Sequence, residues 1–324
     1  MKKLRVGFCY NLYKDFPFQE GQPEDIGIEW SDEEYITIVK EGLEKAGFEV
    51  IDLGEPKKLL EENYRNQIDI VFSLAEMEGY RFREILVPTI CELYKLPYLF
   101  AAPDAMLITA DKHLSNLIVE KIGYSVPNWF LTKKVIKTLP NNLTFPLIVK
   151  PNAEGSSMGI FKQSVVNNYE ELDTQIKRVT EGYKQPAMIQ RFIQGQEITV
   201  GVIQENGITR AMHPLQTFSA TEGQAMIFDA ATKKDYKQNK KFVALTENDF
   251  IAKVQQHAIT IFDVIGCADA ARIDFRLQNG ELYFIEINGL TDFHPQGAFC
   301  LSALNAGIDY INLLKTITLN AFQQ

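Results

Sequence analysis

The chain of 324 residues is poor in the residues that build disulfide frameworks and zinc sites. Its four cysteines, Cys9, Cys91, Cys267 and Cys300, stand singly in apolar surroundings with no CxxC pair, which reads as reduced thiols in a cytoplasmic protein. Its four histidines, His113, His213, His257 and His294, show no HxxxH spacing, and this argues against a zinc site. Basic charge is also short: 33 Lys plus Arg stand against 42 Asp plus Glu, for a formal net charge of −9. A protein that grips a phosphate backbone needs a positive field or a clustered basic stripe, so nucleic acid and anionic membrane surfaces are excluded as expected partners. Long apolar runs are missing too. The stretch after Met1-Lys2-Lys3-Leu4-Arg5 is apolar only from Val6 to Tyr10, too short for a signal peptide, and no window suits a membrane span. No internal repeat, low-complexity tract or Walker A pattern occurs. A small anionic ligand held by a few local lysines stays open.

What is present is an alternation of apolar runs and helix-period segments. Leu4 to Cys9, Phe48 to Leu53 and Ile68 to Leu74 read as buried strands, with a short one at Pro97 to Phe100. Between them, Ser31 with Glu34 reads as a capping box opening a helix over Tyr35, Val39, Leu43 and Ala46, closed by Gly47. Pro56 to Tyr64 and Arg83 to Tyr94 read as further helices. Strands alternating with helices predict a doubly wound α/β domain with a parallel sheet, ending near residue 101. Beyond it, helices are expected at Asp111 to Ile122, Tyr169 to Thr180 and Glu247 to Ile265. Strands are expected at Phe145 to Pro151, Ala187 to Phe192, Glu197 to Gln204, Arg272 to Leu277 and Leu282 to Ile287. The stretch Thr232 to Lys241, with five lysines, is the expected mobile loop.

Three constellations can carry chemistry. Glu154-Gly155-Ser156-Ser157-Met158-Gly159 follows a strand that carries Lys150 near its end. Small residues let backbone N–H groups converge on an anion, and Lys150 adds a point charge; the plainer reading is a Gly/Ser turn. In Ala271 to Arg276, period-two alternation puts Arg272 and Asp274 on one face. In Tyr283 to Asn288 it puts Glu286 and Asn288 together, and Asn279-Gly280 marks the turn between the two strands. Two carboxylates and an amide oxygen are hard donors of the kind Mg²⁺ takes when phosphate supplies the rest; otherwise they are the polar face of a ribbon. Finally, Gln190 to Glu197 offers extended backbone for a purine edge and a carboxylate for ribose hydroxyls, or simply a solvated Glu beside a turn.

In order and spacing, these segments, together with Ala110-Asp111-Lys112, resemble the ATP-grasp superfamily and its D-alanine–D-alanine ligase-like branch. The resemblance runs convincingly from about residue 70 to 315. It implies an ATP-grasp fold with an N-terminal Rossmann-like domain: residues 1–100, a central subdomain over 101–185, and a C-terminal subdomain over 186–324. It implies ATP and Mg²⁺ as cofactors, with two ions and Mn²⁺ as a substitute. Lys112, Lys150, Ser156, Ser157 and Glu154 then belong to the phosphate site, and Gln190, Arg191, Phe192 and Ile193 to the adenine linker. Glu197 corresponds to the ribose acid, and Asp274, Glu286 and Asn288 to the metal ligands. Phe228 to Lys233 echoes the substrate loop, with Lys233 as its γ-phosphate lysine. Arg272, Ser157 and Lys233 are the catalytic candidates, Arg272 as the stabiliser of the tetrahedral intermediate. A homodimer is implied as well.

The amino-acid half departs from that pattern. After Asn288 stands Gly289-Leu290-Thr291-Asp292-Phe293-His294-Pro295-Gln296-Gly297, with Asp292 in place of a glycine and Gly297 in place of the acceptor-binding serine. The N-terminal Gly-Gly-x-Ser-x-Glu segment is replaced by Tyr10 to Tyr13 and a long loop to Trp30. Glu76, Arg81, Arg83, Asp292 and His294 lie in the rewritten segments and are the substrate candidates. The expected activity is therefore an ATP-dependent carboxylate–amine ligase acting through an acyl phosphate on amino-acid-like small molecules. The alternatives are D-alanine–D-alanine ligase itself and a nucleotide-binding protein without catalysis.

Overall fold

The structure is a computed structural model, and it describes residues 3–78, 83–219 and 240–323. Near the N-terminus, β1 (Arg5–Cys9) pairs in parallel with β2 (Glu49–Gly54) on one side and β3 (Ile70–Ser73) on the other. Parallel neighbours need crossovers, and α1 (Glu33–Lys45) supplies the first. It buries Ile36, Val39 and Leu43 at helical spacing. Its cap differs from the expected one. Asp32, not Ser31, accepts from the Tyr35 N–H, because Ser31 is bridged to Leu12 and its N–H is spent on the Asn11 carbonyl. The expected helix over Pro56 to Tyr64 is instead a 3₁₀ turn, Pro56–Leu60, and a single turn α2 (Glu62–Arg65), parted by the extended Glu61. The helix expected from Arg83 starts later, as α3 (Leu86–Tyr94). Pro97 to Phe100 is not a strand; Tyr98 alone bridges to Val71.

Next come α4 (Pro103–Ala110) and α5 (Lys112–Lys121), the latter capped by Asp111, which accepts from the His113 and Leu114 N–H groups. An antiparallel sheet follows, built from β4 (Trp129–Thr132), β5 (Leu147–Pro151), β6 (Val165–Val166) and β7 (Ala187–Arg191) in the order β4-β7-β5-β6. Its apolar face, Val149 and Ile189, packs on Leu172 and Ile176 of α6 (Tyr169–Lys177). The largest sheet contains β8 (Gln196–Glu205), β9 (Ile208–Ala211), β10 (Leu215–Ser219) and β11 (Lys240–Ala244), then β12 (Ala270–Gln278) and β13 (Glu281–Asn288). Its order among the described residues is β11-β10-β8-β12-β13, with β9 paired to β8. Val200, Val202, Ile273 and Phe275 of this sheet pack against Val254, Ile261 and Phe262 of α7 (Asn248–Ile265). Of the lysine-rich stretch, Lys240 and Lys241 open β11, while the rest, with Lys233, lies outside the described residues.

The chain then returns to its beginning. α8 (Ala298–Asn305) and α9 (Tyr310–Gln323) place Phe299, Leu313, Leu314 and Ile317 in one core with Phe8, Val39, Leu43 and Phe72. Each such side chain, fully buried, stabilises by about 1.5–3 kcal/mol. Buried Asp269 adds a polar tie: it accepts from the Phe100 N–H at 2.9 Å and from Asn320 Nδ2 at 2.8 Å. The first sheet therefore shares its core with helices from the far end of the chain.

Candidate active site

Pairing of β12 with β13 sets Arg272 opposite Asn288 and Asp274 opposite Glu286, with an irregularity just after Asp274. Strand alternation thus gathers four residues that the sequence separates by as many as 16 positions. Asp274 accepts from Thr199 Oγ1 at 2.5 Å, from Arg272 Nη2 at 2.9 Å and from Asn288 Nδ2 at 3.2 Å. Glu286 sits 3.2 Å from Lys112 Nζ. Burial pushes its carboxyl up, but Lys112, Lys150 and Arg272 outweigh burial and hold it at about 2. Glu286 is therefore an anion at any working pH. Lys150, buried on β5, is pushed down to about 8 by burial and then by Lys112.

The 154–159 loop leaves β5 with Ser156 at φ 50° and Ser157 at φ 60°. Two successive left-handed non-glycine residues each cost about 1–2 kcal/mol, a strain typical of ligand loops. The long N-terminal loop holds this segment. Asp25 accepts from the Gly159 N–H at 2.6 Å and from the Tyr183 hydroxyl at 2.5 Å. Glu29 lies so close to Gly155 that a Cβ there would strike its carboxylate. Glu29 also pairs with Arg83, whose buried guanidinium further holds Glu76 at 2.7 Å and Glu154. Burial opposes the charge on Arg83, and Glu29, Glu76 and Glu84 outweigh it, so its value is raised.

Two cavities adjoin across Arg272 and Asp274. The smaller, about 140 Å³, is lined by Lys150, Ser156, Ser157, Gln190, Arg191, Phe192, Ile193, Glu197 and Glu286. The larger, about 560 Å³, is lined by Glu29, Glu76, Glu84, Thr217, Thr291, Asp292 and His294 among others. Ser156, Glu197, Arg272 and Asp274 line both. Glu197 is held by Arg276 Nη2 at 3.1 Å, and Arg191 by Gln278 Oε1 at 3.0 Å.

Other expected residues lie elsewhere. The Glu154 carboxylate turns to Arg83 and to Gln185 Nε2 at 2.5 Å, and the residue lines neither cavity. Lys112 stands behind the loop, donating to the Glu154 carbonyl at 2.5 Å. Arg83 is engaged by three carboxylates, which makes it unsuited to receive a substrate carboxylate. Arg81 and Lys233 fall outside the described residues. Sequence reasoning had not singled out Glu29, Thr199, Thr217, Arg276 or Thr291. Of the residues missed, Glu29, Glu84 and Thr291 stood inside segments already marked as divergent.

Two antiparallel sheets closing on a cleft with Lys150 on one wall and carboxylates on the other form the ATP-grasp arrangement. The family model described as D-ala D-ala ligase C-terminus matches residues 119–318. D-alanine–D-alanine ligase A of Bacillus cereus is 29% identical over 280 residues, 85% of this chain and 88% of the relative. The uncharacterized protein y4sG of Sinorhizobium fredii is 27% identical over 251 residues, 76% and 73% of the two chains. Among solved structures, the D-alanine–D-alanine ligase of Bacillus anthracis complexed with ATP superposes with TM-score 0.76 at 20% identity, over 99% of this chain and 98% of that one. The VanG D-Ala:D-Ser ligase of Enterococcus faecalis gives 0.74 at 18%, over 99% and 100%. These structures share the fold. The chain belongs to the D-alanine–D-alanine ligase family, as a divergent member, and is an ATP-dependent ligase that forms C–N bonds. No helix among the described residues is long and apolar enough to cross a membrane.

Proposed function

We propose that the protein joins a carboxylate to an amine through an acyl phosphate, releasing ADP and phosphate, with substrates other than two D-alanines. The observation that carries this reading is the meeting of the two cavities at Arg272 and Asp274. The smaller takes the nucleotide, with Gln190 to Ile193 along the base, Glu197 at the ribose, Lys150 and the 154–159 loop about the phosphates, and Lys112 behind that loop. The larger takes the substrates.

The donor set suits Mg²⁺. Asp274 and Glu286 are cross-strand neighbours, Glu286 is anionic, and the Asn288 amide turns its N–H toward Asp274, which leaves its oxygen as a third hard donor. Bound there, the metal would supply charge neutralisation across the β- and γ-phosphates. The chain's own residues do the rest. A carboxylate oxygen attacks the γ-phosphorus and ADP leaves. The neutral amine then adds to the acyl carbon, Arg272 steadies the oxyanion, and phosphate departs with one former carboxylate oxygen and takes up the proton that the nitrogen gives up. The walls from the N-terminal loop limit water at the acyl phosphate.

Purified protein with Mg²⁺ and ATP, screened against pairs of amino acids and amines, is expected to release ADP and phosphate with a coupled amide. Release of AMP and pyrophosphate contradicts the mechanism. D-Alanine–D-alanine ligase activity is the second reading, favoured by the relatives' names, and ADP release with D-alanine alone decides for it.

A further inference from the structure

The larger cavity holds more acid than two neutral amino acids call for. Glu29, Glu76, Glu84 and Asp292 line it, besides Glu197 and Asp274, which already face arginines. Glu29 and Glu76 share the single guanidinium of Arg83 with Glu154, and Glu84 has no ion pair among the described residues. The one guanidinium among the cavity's described lining residues is Arg272, and it is engaged with Asp274. Crowded, desolvated carboxylates are unfavourable unless protons or a cation neutralise them. Accordingly, burial pushes Glu84 up to about 7, with Arg83 opposing and Glu29 reinforcing.

An independent observation points the same way. The hydroxyls of Thr217, 1% exposed, and Thr291, 3% exposed, have no hydrogen-bond partner among the described residues, and both residues line this cavity. Thr291 adjoins Asp292, and Thr217 stands opposite Glu197 on the neighbouring strand. Buried hydroxyls without partners are rare in native proteins and call for a ligand group or water. As acceptors they suit an ammonium, which carries three donors and no acceptor.

We infer that one substrate is an alkyl chain bearing two ammonium groups, a diamino acid or a diamine. One group stays charged on the wall formed by Glu29, Glu76 and Glu84, in the cavity that Thr291 and Asp292 also line, and the other functional group reacts beside Arg272. A neutral amino acid such as alanine would bring one carboxylate for every ammonium into an acidic chamber. This inference rests on the ligase reading, but its test is scored by binding rather than turnover.

The full-length protein, with Mg²⁺ and a non-hydrolysable ATP analogue, is titrated calorimetrically with lysine, ornithine, putrescine, alanine and Nε-acetyl-lysine. Lysine, ornithine or putrescine should bind at least about tenfold tighter than alanine, and acetylation of the side-chain amine should remove the gain. Preference between putrescine and the amino acids separates the two sources of the shared chemistry. Glu84→Gln, nearly isosteric, should weaken the cationic ligand at least about tenfold, and Thr291→Val by about fivefold. Nucleotide affinity from the same titrations reports that each variant is folded. Alanine binding as tightly as every cation, no cation binding, or Glu84→Gln leaving the affinity unchanged overturns the inference. Cation binding together with no ADP release from ATP across the screen of substrate pairs would overturn the ligase reading and leave this one standing.

Discussion

At the scale of single residues, the site works by setting charges against burial. Glu286 is held at about 2 because three cations outweigh its desolvation, so it is a fixed anion. If it carries the metal, Glu286→Gln should lower kcat by roughly a hundredfold or more while the protein stays folded; unchanged turnover would remove it from the metal site. Glu84 is the opposite case. The folded protein keeps its proton up to about pH 7, whereas an exposed carboxyl releases it near 4.5. The folded state binds more protons across that window, so Glu84 makes stability fall as pH rises from about 4.5 to 7. Thermal melts at stepped pH should show this slope, and Glu84→Gln should flatten it. The shared face of Arg272, Asp274, Glu286 and Asn288 was legible from sequence, because they lie on two strands joined by an Asn-Gly turn, where alternation alone dictates it. The Arg83 cluster was not legible. Two of its three partners lie 7 and 71 residues away in separate loops, and no local pattern announces such a meeting.

At the scale of elements, the N-terminal loop matters most. From sequence it was only a long polar connection to Trp30. In the fold it carries Asp25 to Gly159 and Tyr183, and Glu29 to Arg83, so it presses on the loop proposed to cover the phosphates. Arg83 joins the N-terminal loop, the segment around Glu76 and the 154–159 loop at one point. Removing it leaves three carboxylates, largely buried, without their counter-charge. Arg83→Met should therefore cost about 3–5 kcal/mol in urea unfolding; a loss below about 1 kcal/mol would mean that the carboxylates find other partners or protons. The helix starts were misread for a related reason. Ser31 has the right side chain for a cap, but its backbone is tied to Leu12 and Asn11, and tertiary pairing overrode the local preference.

At the scale of the whole molecule, the α/β alternation near the N-terminus invites a cut near residue 100, but the core does not follow it. Phe8 and Phe72 pack in one cluster with Phe293, Phe299, Leu313 and Ile317. A fragment of residues 1–100 should therefore be largely unfolded by circular dichroism and amide NMR, and a cooperative melt from it would contradict this shared core. The arrangement also brings Asp292 and His294, which precede α8, to the same cavity as Glu76 and Glu29 from the first hundred residues. On the proposed reading, substrate recognition is thus assembled from both ends of the chain. The most direct test follows the oxygen atoms. With carboxylate-¹⁸O substrate, Mg²⁺ and ATP, the acyl-phosphate route predicts one ¹⁸O in the released inorganic phosphate for each amide formed. Amide formation with ¹⁸O in AMP, or with none in phosphate, would contradict it.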